Sequence, residues 1–73
     1  MIVYDPFWKT AKDKGLTLYA LIHKCGLSNG TLYRMRKGKP ISTVTLNQIC
    51  TVLGCKVEDV LLFVEDKNDD EEA

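Results

Sequence analysis

Two short stripes of apolar residues at helical spacing lie back to back between Leu16 and Lys39, joined by Cys25-Gly26-Leu27-Ser28. The first stripe places Leu18, Leu21, Ile22 and Cys25 on one helix face. Gly26 then supplies a residue that enters positive φ without a Cβ penalty, so the chain can reverse there. Ser28 has the side chain to accept a hydrogen bond from the free amides of a following turn, so a second helix starts at Asn29 with Leu32 and Met35 inward. On this spacing Asn29, Thr31, Tyr33, Arg34, Arg36 and Lys37 face outward. Amide, hydroxyl and guanidinium groups of this kind suit base edges, and the cations that follow suit phosphate. The joint and its basic second helix therefore imply a device for reading DNA.

The 73 residues make one domain whose small core has to pack efficiently. A hydrophobic content of 45% argues for a folded chain, and only two prolines with repeated 3.6-residue periodicity argue for helices. The longest apolar run, Val60 to Val64, is far below membrane-spanning length, and the N-terminus lacks the zones of a signal peptide. A cytoplasmic protein with no membrane partner is expected. Cys25, Cys50 and Cys55 are an odd set without ligand pairs at zinc spacing, so reduced thiols are expected, with Cys25 and Cys50 as small core hydrophobes. No serine, cysteine or carboxylate has a base at recognisable spacing and no phosphate-cradling glycine loop occurs, so neither enzymatic activity nor a cofactor is expected.

The formal net charge of zero conceals an asymmetry. Residues 1–64 carry nine Lys/Arg against four acids, a balance of +5, whereas residues 65–73 carry six acids and Lys67, a balance of −5. The folded part is thus basic enough to seek a polyanion. The segment 65–73 has almost no apolar residue to bury and is expected to be a disordered acidic tail. As a tethered polyanion it can compete with DNA for the basic face; its removal should then tighten non-specific binding at low salt, and unchanged affinity would leave it a solubilising tail.

Along the rest of the chain, Asp5-Pro6 reads as the start of a first helix running to about Lys14, with Phe7, Trp8 and Ala11 inward and Gly15 as its stop. Thr17 reads as the cap of helix two. After Gly38-Lys39-Pro40, Ser42 caps a fourth helix that offers Leu46, Ile49, Cys50 and Leu53 to the core and ends at Gly54. A fifth short helix over about Val57 to Phe63 would add Val57, Val60 and Leu61. Residues 1–4 are apolar and β-prone. They form either a segment packed on its own domain or an arm pairing with its equivalent in a second subunit.

From Leu16 to Leu62 the chain resembles the Cro/repressor class of helix-turn-helix regulators, also called the xenobiotic-response-element (XRE) family. The resemblance rests on Thr17 opening helix two, Gly26-Leu27-Ser28 at the turn, Thr31-Leu32-Tyr33-Arg34 within helix three, Gly38 after it, Ser42 with Thr45-Leu46, and Leu53-Gly54. The wording RMRKGKPIS is similar to that of small single-domain bacterial and phage members. The resemblance implies an all-α, five-helix repressor-like domain over residues 1–64, with helix three in the major groove. Carried over position by position, Asn29, Thr31, Tyr33 and Arg34 become base readers, and Thr17, Ser28, Arg36, Lys37, Lys39 and Thr43 become phosphate contacts. The chain departs from the family at three points. Leu18 stands where many members have a bracing glutamine, Gly30 removes a side chain from the reading surface, and Arg36 replaces a common acidic residue.

The expected function is that of a transcriptional regulator, by default a repressor, binding a palindromic operator in double-stranded DNA as a homodimer, without a small-molecule ligand. The rival expectation is a protein-interaction module on the same fold, an antitoxin-like or anti-repressor subunit using the apolar N-terminus. His23 reads as a solvated side chain without a role.

Overall fold

Phe7, Leu21, Leu27, Ile49 and Val60 are fully buried, and each comes from a different part of the chain, so one core ties together the stretch from residue 4 to residue 61. The computed structural model describes residues 1–65. In chain order they form strand β1 (Ile2–Val3), helices α1 (Asp5–Asp13), α2 (Leu18–His23), α3 (Asn29–Arg36) and α4 (Thr43–Leu53), a single 3₁₀ turn (Val57–Asp59) and strand β2 (Leu62–Phe63). Among the described residues four α-helices are present, not five. The acidic tail expected over residues 65–73 lies, from residue 66 onward, outside the described residues. Among the described residues no helix is long and apolar enough to cross a membrane.

The caps fall where local chemistry puts them, with one exception. Thr17, Ser28 and Ser42 precede α2, α3 and α4, and their hydroxyls accept from the amides of Ala20, Thr31 and Thr45 at 3.0–3.1 Å. Such a cap contributes about 1 kcal/mol. At α1 the expected cap, Asp5, is instead the first helical residue, and Tyr4 stands before it without a side-chain cap. Tyr4 is pinned by tertiary bonds: it is buried, its hydroxyl donates to the Lys39 carbonyl at 2.8 Å, and its own carbonyl accepts from Phe7 N at 3.0 Å. The helix therefore opens one residue early. Asp5 still lies in the first turn, where the macrodipole favours an acid.

The C-terminal segment departs most from expectation. Helix propagation through residues 63 and 64 would need the carbonyls of Asp59 and Val60 as acceptors. In the structure both accept from α1 instead: Thr10 Oγ1 donates to Asp59 O at 2.8 Å and Phe7 N to Val60 O at 3.1 Å. Asp59 Oδ2 closes the 3₁₀ turn by accepting from Lys56 N at 3.0 Å. The chain then extends and pairs antiparallel with β1, Ile2 opposite Phe63 and Val3 opposite Leu62. Val64 N donates to Met1 O at 2.8 Å beyond the register pairs. Within the segment 1–4, Ile2 and Val3 thus pair with their own chain. Val60 fills the core as expected, Leu61 is half-buried, and Val57 is exposed rather than core. Cys25, Cys50 and Cys55 are half-buried free thiols; burial, with Cys50 and Asp59 nearby, pushes the Cys55 thiol up.

Candidate nucleic-acid interface

The joint between α2 and α3 is built as its sequence requires. Gly26 adopts φ +78°, a conformation that a Cβ would strain, and its carbonyl accepts from Gln48 Nε2 of α4 at 3.2 Å. Leu27 is 2% exposed and plugs the corner, with its amide donating to Leu21 O at 3.0 Å. Leu32 and Met35 anchor the underside of α3. At its far end Gly38 N donates to Met35 O at 3.2 Å and Lys39 N to Arg34 O at 2.8 Å, the paired bonds of a Schellman stop. Tyr4 then holds the Lys39 carbonyl from the opposite side. The helix is therefore fixed at both ends and along its base.

Its outer surface carries Asn29, Gly30, Tyr33, Arg34 and Arg36, all exposed, and Lys37 and Lys39 follow at the stop. Among the described residues none of these four cations is in an ion pair, whereas Lys9 and Asp13 of α1 form one. Two are steered by aromatic rings: the Arg36 guanidinium lies 5.4 Å from the Trp8 ring centroid, and Lys37 Nζ lies 5.7 Å from that of Tyr33. Exposed cation–π contacts of this kind contribute about 0.5–1 kcal/mol. Trp8 is itself set edge-on against buried Phe7, with centroids 4.8 Å apart, so the core orients Arg36 through one intermediate ring.

Thr31 is not where its spacing put it. It was expected on the outward face, yet it is only 6% exposed. Ser28 draws it under: Ser28 Oγ accepts from Thr31 N and donates to Thr31 Oγ1, both at 3.0 Å. Thr31 thereby takes the third helical position, where a capping box has its return partner. Its Oγ1 also accepts from Arg34 Nη2 at 3.5 Å, which lays the guanidinium back along α3 toward Ser28. That path runs past Gly30, where a Cβ would lie 3.6 Å from Arg34 Nη1, an ordinary van der Waals contact. Thr31 thus lies buried against Ser28 and Arg34 and not on the outer surface of α3.

The remaining expected phosphate contacts are spread over three elements. Thr17 and Ser28 are exposed at the caps of α2 and α3. Thr43 is exposed in the first turn of α4, lining a groove of about 400 Å³ with Met1, Tyr4, Pro40 and Ile41 but no residue of α3. Two further side chains lie at this surface. Leu18, assigned inward by periodicity, is 44% exposed and shares a notch with Asn29, Tyr33 and Arg36. Trp8, read as core, is half-buried under Arg36. For Trp8 the aromatic and the cations of α3 were visible, but no local pattern linked residues so far apart in the chain. His23 is exposed as expected and lies against Tyr19, ring centroids 4.3 Å apart.

The sequence profile of the Cro/C1-type HTH DNA-binding domain matches residues 7–66. Among solved structures the chain is similar to the transcriptional regulator VanUg (crystal form II). That likeness has a TM-score of 0.78 and 25% sequence identity, over 89% of this chain and 87% of that one. No curated protein sequence matches it.

Proposed function

Because the chain belongs to the Cro/C1-type helix-turn-helix DNA-binding family, we propose that it is a sequence-specific transcriptional regulator that inserts α3 into the major groove. The observation that carries this reading is the outer surface of α3: a rod capped at both ends whose exposed amide, phenol and guanidinium groups adjoin cations that pair with no carboxylate among the described residues. In this reading Asn29, Tyr33 and Arg34 meet base edges, an amide pairing with adenine and a guanidinium with guanine through two hydrogen bonds each. Thr17, Ser28, Arg36, Lys37, Lys39 and Thr43 meet phosphates and set the register. The protein acts in the cytoplasm as a homodimer on a palindromic operator, with half-sites about one helical turn, roughly 34 Å, apart, and represses by occluding polymerase.

Selection of bound sites from a random duplex pool, followed by anisotropy titration of the winner over a salt series, tests the reading. A two-fold symmetric preferred site and a steep fall of affinity with salt are expected. The exposed apolar ribbon of Ile2, Leu62 and Phe63 favours a second reading, a module whose partner is a protein. That module would return neither a preferred site nor a steep salt slope.

A further inference from the structure

On an otherwise polar and cationic surface, Leu18 at the start of α2 and Tyr33 of α3 are 44% and 57% exposed side by side. Between them lies a notch of about 260 Å³ with Leu32 as its floor and Asn29 and Arg36 at its rim. Two large apolar groups left in water at one spot favour an apolar occupant, and the rim restricts what that occupant can be. Arg36 is held at the notch by Trp8, and Lys37 lies over the Tyr33 ring; among the described residues neither is paired with a carboxylate. An apolar protein segment seated there would have to bury those charges. A DNA duplex instead brings phosphates to the cations, and its major groove carries one apolar group on a base edge, the C5-methyl of thymine.

We infer that the Leu18–Tyr33 notch receives a thymine methyl group in each half-site. Leu18 and Tyr33 form its walls, and Leu18 is a specificity-determining residue. The inference rests on the DNA-reading assignment above and adds to it the identity of one base. It also accounts for an apolar residue at the opening of α2: a side chain unable to hydrogen-bond there discriminates by contact with a methyl group.

The test removes the methyl group from the DNA and not from the protein. Each thymine of the selected site is replaced in turn by uracil, and affinity is measured for the native chain and for Leu18→Ala, whose half-exposed position spares the core. Native protein should lose about fourfold at one thymine per half-site, the factor that burial of one methyl implies. Leu18→Ala should lose less than about twofold at that same thymine, showing that the two groups are coupled. Uracil tolerated at every position overturns the inference while leaving a sequence-specific regulator intact. An equal uracil penalty for both proteins overturns it as well, by placing the methyl contact elsewhere. Absence of any preferred site would overturn the DNA-reading assignment, and the notch with it.

Discussion

Adding one methyl group at Gly30 should move stability and DNA binding in opposite directions. Gly30 is the second residue of α3, exposed, and its φ is not positive, so an L side chain fits its backbone. A Cβ built there would meet Arg34 Nη1 at 3.6 Å and Ser28 Oγ at 3.9 Å, both ordinary van der Waals distances, and no closer atom. With no clash to offset it, Gly30→Ala should stabilise the domain by about 0.5–1 kcal/mol, because the unfolded chain loses the extra freedom of glycine. For a domain of this size that raises Tm by about 2–8 °C, read by circular dichroism. The same methyl stands on the surface proposed to approach the base edges, over the path that Arg34 follows. Affinity for the preferred site should fall at least about fivefold, the roughly 1 kcal/mol that losing a single good base contact implies. A lower Tm would refute the account of the free space at Gly30. A higher Tm with unchanged affinity would refute the close approach of this helix turn to DNA.

Three further outcomes are expected. Arg34→Ala should relax sequence preference at one position per half-site, whereas Lys37→Ala should weaken all sequences alike and lower the salt slope by about one unit; equal losses on every sequence for Arg34→Ala would remove its assigned role. Tyr4→Phe deletes the 2.8 Å bond to the Lys39 carbonyl and should cost about 1 kcal/mol in urea unfolding, so an unaltered midpoint would show that this strap contributes nothing. Because burial raises the Cys55 thiol, the folded chain binds that proton more tightly than the unfolded one. Its contribution is complete below the ordinary thiol range and lost as pH rises through it, so stability should fall less steeply above about pH 9 in Cys55→Ser; identical profiles would contradict this.

The candidate interface was legible in the sequence to the extent that it is local. Caps at Thr17, Ser28 and Ser42, the reversal at Gly26, and the inward Leu32 and Met35 each depend on residues within four positions, which helical periodicity and side-chain chemistry encode directly. Errors arose where a neighbour distant in the chain, or competition for one hydrogen-bond partner, decided the outcome. Periodicity put Leu18 inward with Leu21 and Ile22, but at the opening of a six-residue helix Leu18 remains 44% exposed. Thr31 looked outward by spacing until the Ser28 hydroxyl took it as a double partner.

Composition and spacing alone determined that the chain is a small helical domain with a cationic helix presented after a sharp turn, since those features are set by side chains close in sequence. Tertiary structure alone decided how the chain closes. The stretch from Val57 to Phe63 has helical spacing, yet it is bonded to α1 through the carbonyls of Asp59 and Val60 and to β1 through pairing with Ile2 and Val3. Bonds to elements distant in the chain outweigh a local preference worth only tenths of a kcal/mol per residue, and no reading of neighbouring residues registers them.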